Sequence, residues 1–168
     1  MKKLMLSKSS SEFNYRITIK MRKKLTIALV AHDHRKADMV DWVIFNSDFL
    51  SHHHLVCTGT TGGLVRDALN EEGVFPEITC MNSGPMGGDA EIAAMVVRKE
   101  IDLAVFLIDD LNAQPHEADI MMLLRQCRIH NVPIACNRYS ADLMITSSLW
   151  DDLSYVPMPP RYEKFERN

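Results

Sequence analysis

A chain of 168 residues, 46% of them hydrophobic, is sized for one domain with a real core, and its formal charge of −3 denies it the basic body that general nucleic-acid binding needs. That charge is uneven: residues 1–24 carry eight Lys or Arg against one Glu, and the rest carry eleven against twenty-one acids, a formal −10. The longest apolar stretch, near Ile27 to Ala31, is far too short to span a bilayer, and the first twenty residues lack the apolar run of a secretory signal, so the expectation is a cytoplasmic protein without membrane contact.

In chain order, residues 1–22 read as a basic N-terminal extension, a solvated tail with Met21 followed by RKK resembling a natural chain start, and residues 23–168 as one domain. Residues 25–31 are the first apolar and β-branched run, a predicted buried strand that ends in AHDHRK, Ala31 to Lys36. There Lys36 supplies a full positive charge suited to a phosphate dianion. His32 and His34 flank Asp33, but no HxxxH helix motif or matching cysteine set accompanies them, so direct substrate contact is favoured over a metal site. His52, His53 and His54 read as a solvated turn before the second strand, residues 55–57.

That strand runs into TGTTGG, where Thr58, Gly59, Thr60 and Thr61 put three hydroxyls and a permissive backbone at a turn before a helix predicted from near Gly62. Neither a Walker lysine pattern nor GxGxxG is present to demand a nucleotide. A third strand, residues 78–81, leads to SGPMGGD, where Ser83 and Gly84 repeat the theme and Asp89 stands at a predicted helix start. A carboxylate there suits an N-cap, but capping leaves the glycines unexplained; a turn that lets backbone approach a ligand makes Asp89 a candidate base. In the following helix Asp89, Ile92, Ala93, Val96 and Val97 share one face.

Residues 103–108 predict the fourth strand and open DDLNAQPHEAD, 109–119, which places His116 near the crevice with an imidazole able to polarise a carbonyl. Ile120, Leu123, Leu124 and Cys127 form the buried face of the next helix, and residues 133–136 a fifth strand. Cys57, Cys80, Cys127 and Cys136 lack CxxC spacing and read as buried free thiols. Strands alternating with helices predict a three-layer α/β/α domain around a central parallel sheet of about five strands, a Rossmann-like arrangement with the polar runs at the carboxyl ends of the strands.

AHDHRK, CTGTTGGL, NSGPMGGD and DLNAQPHEAD, in this order and spacing over about residues 24–165, resemble the methylglyoxal synthase family. The resemblance implies conversion of dihydroxyacetone phosphate to methylglyoxal and inorganic phosphate by a homohexameric lyase, with no metal or organic cofactor and with phosphate as product and inhibitor. It implies Asp89 as the catalytic base and His116 as the electrophile at the carbonyl. His32, Lys36, Thr58, Gly59, Thr60, Thr61, Ser83 and Gly84 become the substrate and phosphate contacts. Asp33 and Asp119 match further active-site carboxylates, and Arg161 in PPRY a phosphate-reaching arginine near the chain end. Departures fall beside His116: Asp110 replaces a familiar proline, and Glu117 and Ala118 an Asp-Pro pair.

Rival readings are an effector-binding module like that of carbamoyl phosphate synthetase, the cyclohydrolase domain of inosinate synthesis, and an isomerase using the same enediolate. The chain lacks an attached synthetase or transformylase domain, and a module that only binds has no need of a base.

Overall fold

A strand buried at nearly every residue needs cover on both faces, and β1, Thr26–Ala31, is such a strand. In the computed structural model, which describes residues 23–113, 115–158 and 160–162, it lies at the middle of a five-stranded sheet. The other strands are β2, His54–Cys57; β3, Glu77–Cys80; β4, Leu103–Leu107; and β5, Ile134–Ala135. All pairings are parallel and the order is β3-β2-β1-β4-β5. Each predicted strand is present, its ends within a residue or so of expectation.

Among the described residues six α-helices connect and cover the sheet: α1, Lys36–Phe45; α2, Ser47–Leu50; α3, Gly59–Glu71; α4, Gly88–Val97; α5, Glu117–Ile129; and α6, Arg138–Ile145. The two-residue alternation of β1 sorts its side chains: Ile27 and Leu29 join one core with Met39, Trp42, Val65 and Leu69, while Ala28 and Val30 join a second with Ile92, Val96, Ile120 and Leu123. One face thus carries α1, α3 and α6 and the other α4 and α5, giving the three layers.

Several expectations change in the folded chain. α3 starts at Gly59, not near Gly62, so Gly59, Thr60 and Thr61 belong to its first turn. Val97 closes α4 with 45% of its surface exposed, because the last residue of a helix turns past the edge of what it packs on. Leu124 is half-buried, packed at the margin of the second core.

All four cysteines are free, but Cys80 and Cys136 are exposed while Cys57 and Cys127 are buried. β3 is an edge strand with the burial pattern exposed, half-buried, exposed, exposed, so its apolar run does not imply cover. The histidine run is no solvated turn: His53 is 2% exposed and its Nδ1 accepts the Leu25 N–H at 3.2 Å, while His54 opens β2. The expected extension, residues 1–22, lies outside the described residues. Among the described residues no helix is long and apolar enough to cross a membrane.

Candidate functional site

In an open parallel sheet the crevice opens beyond the carboxyl ends of the strands where the order reverses, here between β1 and β4. A cavity of about 120 Å³ lies there. From the end of β1 it takes His32, Asp33 and Lys36; from the start of α3, Thr58, Thr60 and Thr61; from the loop after β3 and the start of α4, Gly84 and Asp89; and from the loop after β4, His116. Four separate segments therefore converge on one hollow. Gly59, Ser83, Asp119 and Arg161 do not line it.

Two of these four support the lining. The Gly59 N–H donates to Asn82 O at 3.0 Å, joining α3 to the loop after β3. The Ser83 carbonyl accepts the Met86 and Gly88 N–H groups at 2.9 and 3.0 Å, shaping the turn that presents Asp89. Asp119 acts on Asp89 through its charge. Arg161 is an exposed residue apart from the cavity lining.

Asp89 is fully buried, and neither carboxylate oxygen accepts a hydrogen bond among the described residues. The N-cap of α4 is Gly87, with no side-chain capping bond, so Asp89 does not serve as the cap that its position suggested. Burial is the main cause that pushes its pKa upward; the nearby His116 opposes it and Asp119 adds to it. His116, at the N-cap position of α5, places Nε2 3.3 Å from Asp89 Oδ2.

Two glycines make room for this pair. A Cβ on Gly84 would sit 2.8 Å from His116 Nε2 and 3.2 Å from Asp89 Oδ2, where all three residues line the cavity. A Cβ on Gly88 would fall 2.0 Å from Asn82 O, a contact backbone cannot yield to. Only the missing side chain lets the start of α4 dock on the loop after β3.

His32 is 5% exposed and packs edge-on against Phe106 at 5.1 Å between ring centroids. Its Nδ1 accepts the Asp109 N–H at 2.9 Å. A ring nitrogen that accepts carries no hydrogen, so in the neutral ring the hydrogen sits on Nε2, a buried donor without a partner among the described residues. Burial is the first cause holding the His32 pKa below the ordinary histidine value, with His116 adding to it, against opposing contributions from Asp109 and Glu117.

Another side of the cavity is built by Lys36 and the start of α3. Lys36 Nζ lies 2.5 Å from Asp33 Oδ1 with 18% of the lysine side chain exposed, and this bond is the main reason the Asp33 carboxyl stays below the usual range. Thr58 and Thr61 are buried, the Thr58 hydroxyl donating to that of Thr61 at 3.2 Å. Thr58, at the N-cap of α3, makes no capping bond with its side chain. The N–H groups of the first helical turn lack acceptors within the helix and carry the positive end of its dipole, so this rim favours an anionic oxygen.

Sequence reasoning passed over two supports. Asp109, at the end of β4, reaches His32 through its backbone N–H, a contact to which side-chain chemistry gives no clue beyond the position at the sheet's switch point. Glu91 clamps Asn82, accepting its backbone N–H at 2.8 Å and its side-chain amide at 2.9 Å, and so ties α4 to the loop after β3. Among the described residues no group of three or more His, Cys, Asp or Glu is placed to hold a metal ion.

Comparison with known proteins adds an independent finding. The MGS-like domain family matches residues 38–136. A methylglyoxal synthase of Treponema socranskii is 73% identical over 147 residues, 88% of this chain and 93% of the relative. One from Proteus mirabilis (strain HI4320) is 48% identical over 133 residues, 79% of this chain and 84% of the relative. Among solved structures, a methylglyoxal synthase from Elizabethkingia anophelis NUHP1 superposes with a TM-score of 0.74 at 38% identity, covering 86% of this chain and 92% of that one.

Proposed function

The chain belongs to the methylglyoxal synthase family, a family of lyases, and from that premise we propose that it converts dihydroxyacetone phosphate to methylglyoxal and inorganic phosphate through an enediolate. The observation that carries this reading is the Asp89 carboxylate, buried, free of hydrogen bonds among the described residues, and 3.3 Å from His116 Nε2. A carboxylate whose pKa is raised by burial is a stronger base than one in solvent.

In the proposed reaction Asp89 removes a proton from the hydroxymethyl carbon beside the carbonyl. His116, and the Nε2–H of His32, donate to the substrate oxygen that gains charge. A positioned base contributes roughly 10² to 10⁴ in rate, and an oxyanion donor about 10² to 10³. Lys36, Thr58, Thr60, Thr61 and Gly84 hold the phosphate, with Gly59 and Ser83 shaping that wall through their backbone bonds, and the phosphate reaches Lys36 by sharing it with or taking it from Asp33. Elimination follows when the bridging C–O bond stands out of the enediolate plane and overlaps its π system; the enol released becomes methylglyoxal. The same contacts then stabilise the leaving dianion. Asp119 raises the basicity of Asp89 by its charge. Arg161, apart from this cavity, enters only by reaching a phosphate of another copy in a homohexamer, and the mass of the purified protein by light scattering tests that assembly.

The deciding experiment incubates purified protein with dihydroxyacetone phosphate in the presence of chelator and measures methylglyoxal and phosphate together against Asp89→Asn. Equal release of both, lost in the variant, is expected. Release no faster than the spontaneous rate overturns the reading and leaves an effector-binding module; interconversion to the aldose phosphate without phosphate release identifies an isomerase.

A further inference from the structure

Asp109 carries a carboxylate that does not line the reaction cavity, yet it is held from several sides. The Leu111 N–H donates to Oδ1 at 3.1 Å and the Asn112 side-chain amide to Oδ2 at 2.6 Å. His34 Nδ1 stands 3.0 Å from the same Oδ2, with 72% of the His34 side chain exposed against 8% for Asp109. Asn112 Nδ2 also lies 3.1 Å from His34 Nδ1; because that ring nitrogen spends its hydrogen on the carboxylate, the amide's useful donation is the shorter one to Asp109.

So dense a grip on a residue outside the reaction cavity calls for a purpose elsewhere on the same residue. The Asp109 N–H is that place, since it donates to His32 Nδ1 at 2.9 Å. A neutral imidazole in water populates both tautomers, and an N–H fixed against Nδ1 removes one of them, because two hydrogens cannot occupy the same line. Asp109 stands two residues past the end of β4, beyond the backbone bond from the His32 N–H to Leu107 O at 3.2 Å, so its side-chain contacts add to that anchor in directing its own N–H.

From this we infer that His34 and Asn112 are positioning residues: by gripping the Asp109 carboxylate they keep the Asp109 N–H on His32 Nδ1, and so keep the His32 Nε2–H turned into the cavity. The inference deepens the proposed function and rests on it for the reaction served, while the state of the His32 ring is a property of the protein alone. Neither residue lines the reaction cavity; each acts through Asp109 and then His32.

The test reads the ring and the rate separately. With the full chain labelled with ¹⁵N in histidine, and His32 assigned through His32→Gln, long-range proton–nitrogen spectra are expected to show one bare nitrogen at Nδ1 and one protonated at Nε2. In Asn112→Ala, and more so in the His34→Ala, Asn112→Ala pair, the two His32 nitrogens should move toward averaged positions. kcat/KM for dihydroxyacetone phosphate should fall about tenfold or more, as loss of orientation predicts. His34→Gln, which keeps a donor, should preserve both readouts. The inference is overturned by an Nδ1–H ring in the parent protein, by a ring unchanged in the double variant, or by an averaged ring with undiminished kcat/KM. If the parent protein forms no methylglyoxal, the proposed function fails on its own, and the spectra still decide the link from Asn112 and His34 to His32.

Discussion

Asp89 illustrates how one residue sets reactivity and stability in opposition. Its pKa is raised, burial being the main cause, so above that raised value the folded chain carries a buried charge, offset in part by His116, that the unfolded chain leaves in water. As pH falls through the raised value the folded form takes up its proton before the unfolded chain does, and below the ordinary carboxylate range nothing of the penalty is left. Asp89→Asn should therefore lower kcat by roughly 10² to 10⁴ while raising the neutral-pH melting temperature, with the stability gain shrinking on acidification. An asparagine variant less stable than its parent at neutral pH would show that the charge is not buried at a cost. That Asp89, His116 and Lys36 would meet at one cavity was legible because side-chain chemistry and turn position coincide at each. Asp109 was not, because its part is played by a backbone N–H that any residue type possesses.

Helix termini and edges, at the scale of elements, account for most of what the sequence concealed. Turn composition and the first turn of a helix are chemically alike, since both leave N–H groups unpaired, and that is why α3 absorbs Gly59, Thr60 and Thr61. His53 was misread because its partner, the Leu25 N–H, comes from the neighbouring strand and no local pattern announces it. Two substitutions test the element boundaries from opposite sides. Gly88→Ala forces a Cβ to within 2.0 Å of Asn82 O, and overpacking against backbone should cost about 3 kcal/mol or more, read as a shifted urea midpoint. Lys99 follows α4 with φ of 61°, in the left-handed region, with the Glu100 N–H closing on Met95 O at 2.9 Å. That geometry suits glycine, so Lys99→Gly should stabilise by roughly 0.5–1 kcal/mol; a loss of stability would mean the lysine side chain contributes more than its strained backbone removes.

For the molecule as a whole, the alternation of short apolar runs with helical segments was enough to foresee a parallel sheet of five strands, because strands buried on both faces leave the plainest mark that sequence can carry. The burial of β3 was not foreseeable, since the order that puts it at an edge is decided by the crossovers. Residues 1–22 are proposed as an extension separate from the catalytic domain; a chain beginning at Met21 should retain full turnover, and a drop beyond about twofold would assign the basic leader a part in catalysis.

The ion pair between Asp33 and Lys36 has a consequence for how a ligand arrives. Among the described residues Lys36 is the one lysine or arginine on the cavity wall, already matched by Asp33, and Asp89 adds a further carboxylate, so the described wall is formally negative within a chain that is itself negative at −3. On the proposed function, the doubly charged phosphoester is thus not drawn in from a distance; it is expected to collide, then trade places with Asp33 at short range. Capture should be slower than for a funnel of positive charge. Raising salt about tenfold, which shortens the screening length roughly threefold, should leave kcat/KM level or lift it. A steep fall would reveal long-range attraction from elsewhere, and so a cavity wall completed by charges this subunit does not supply.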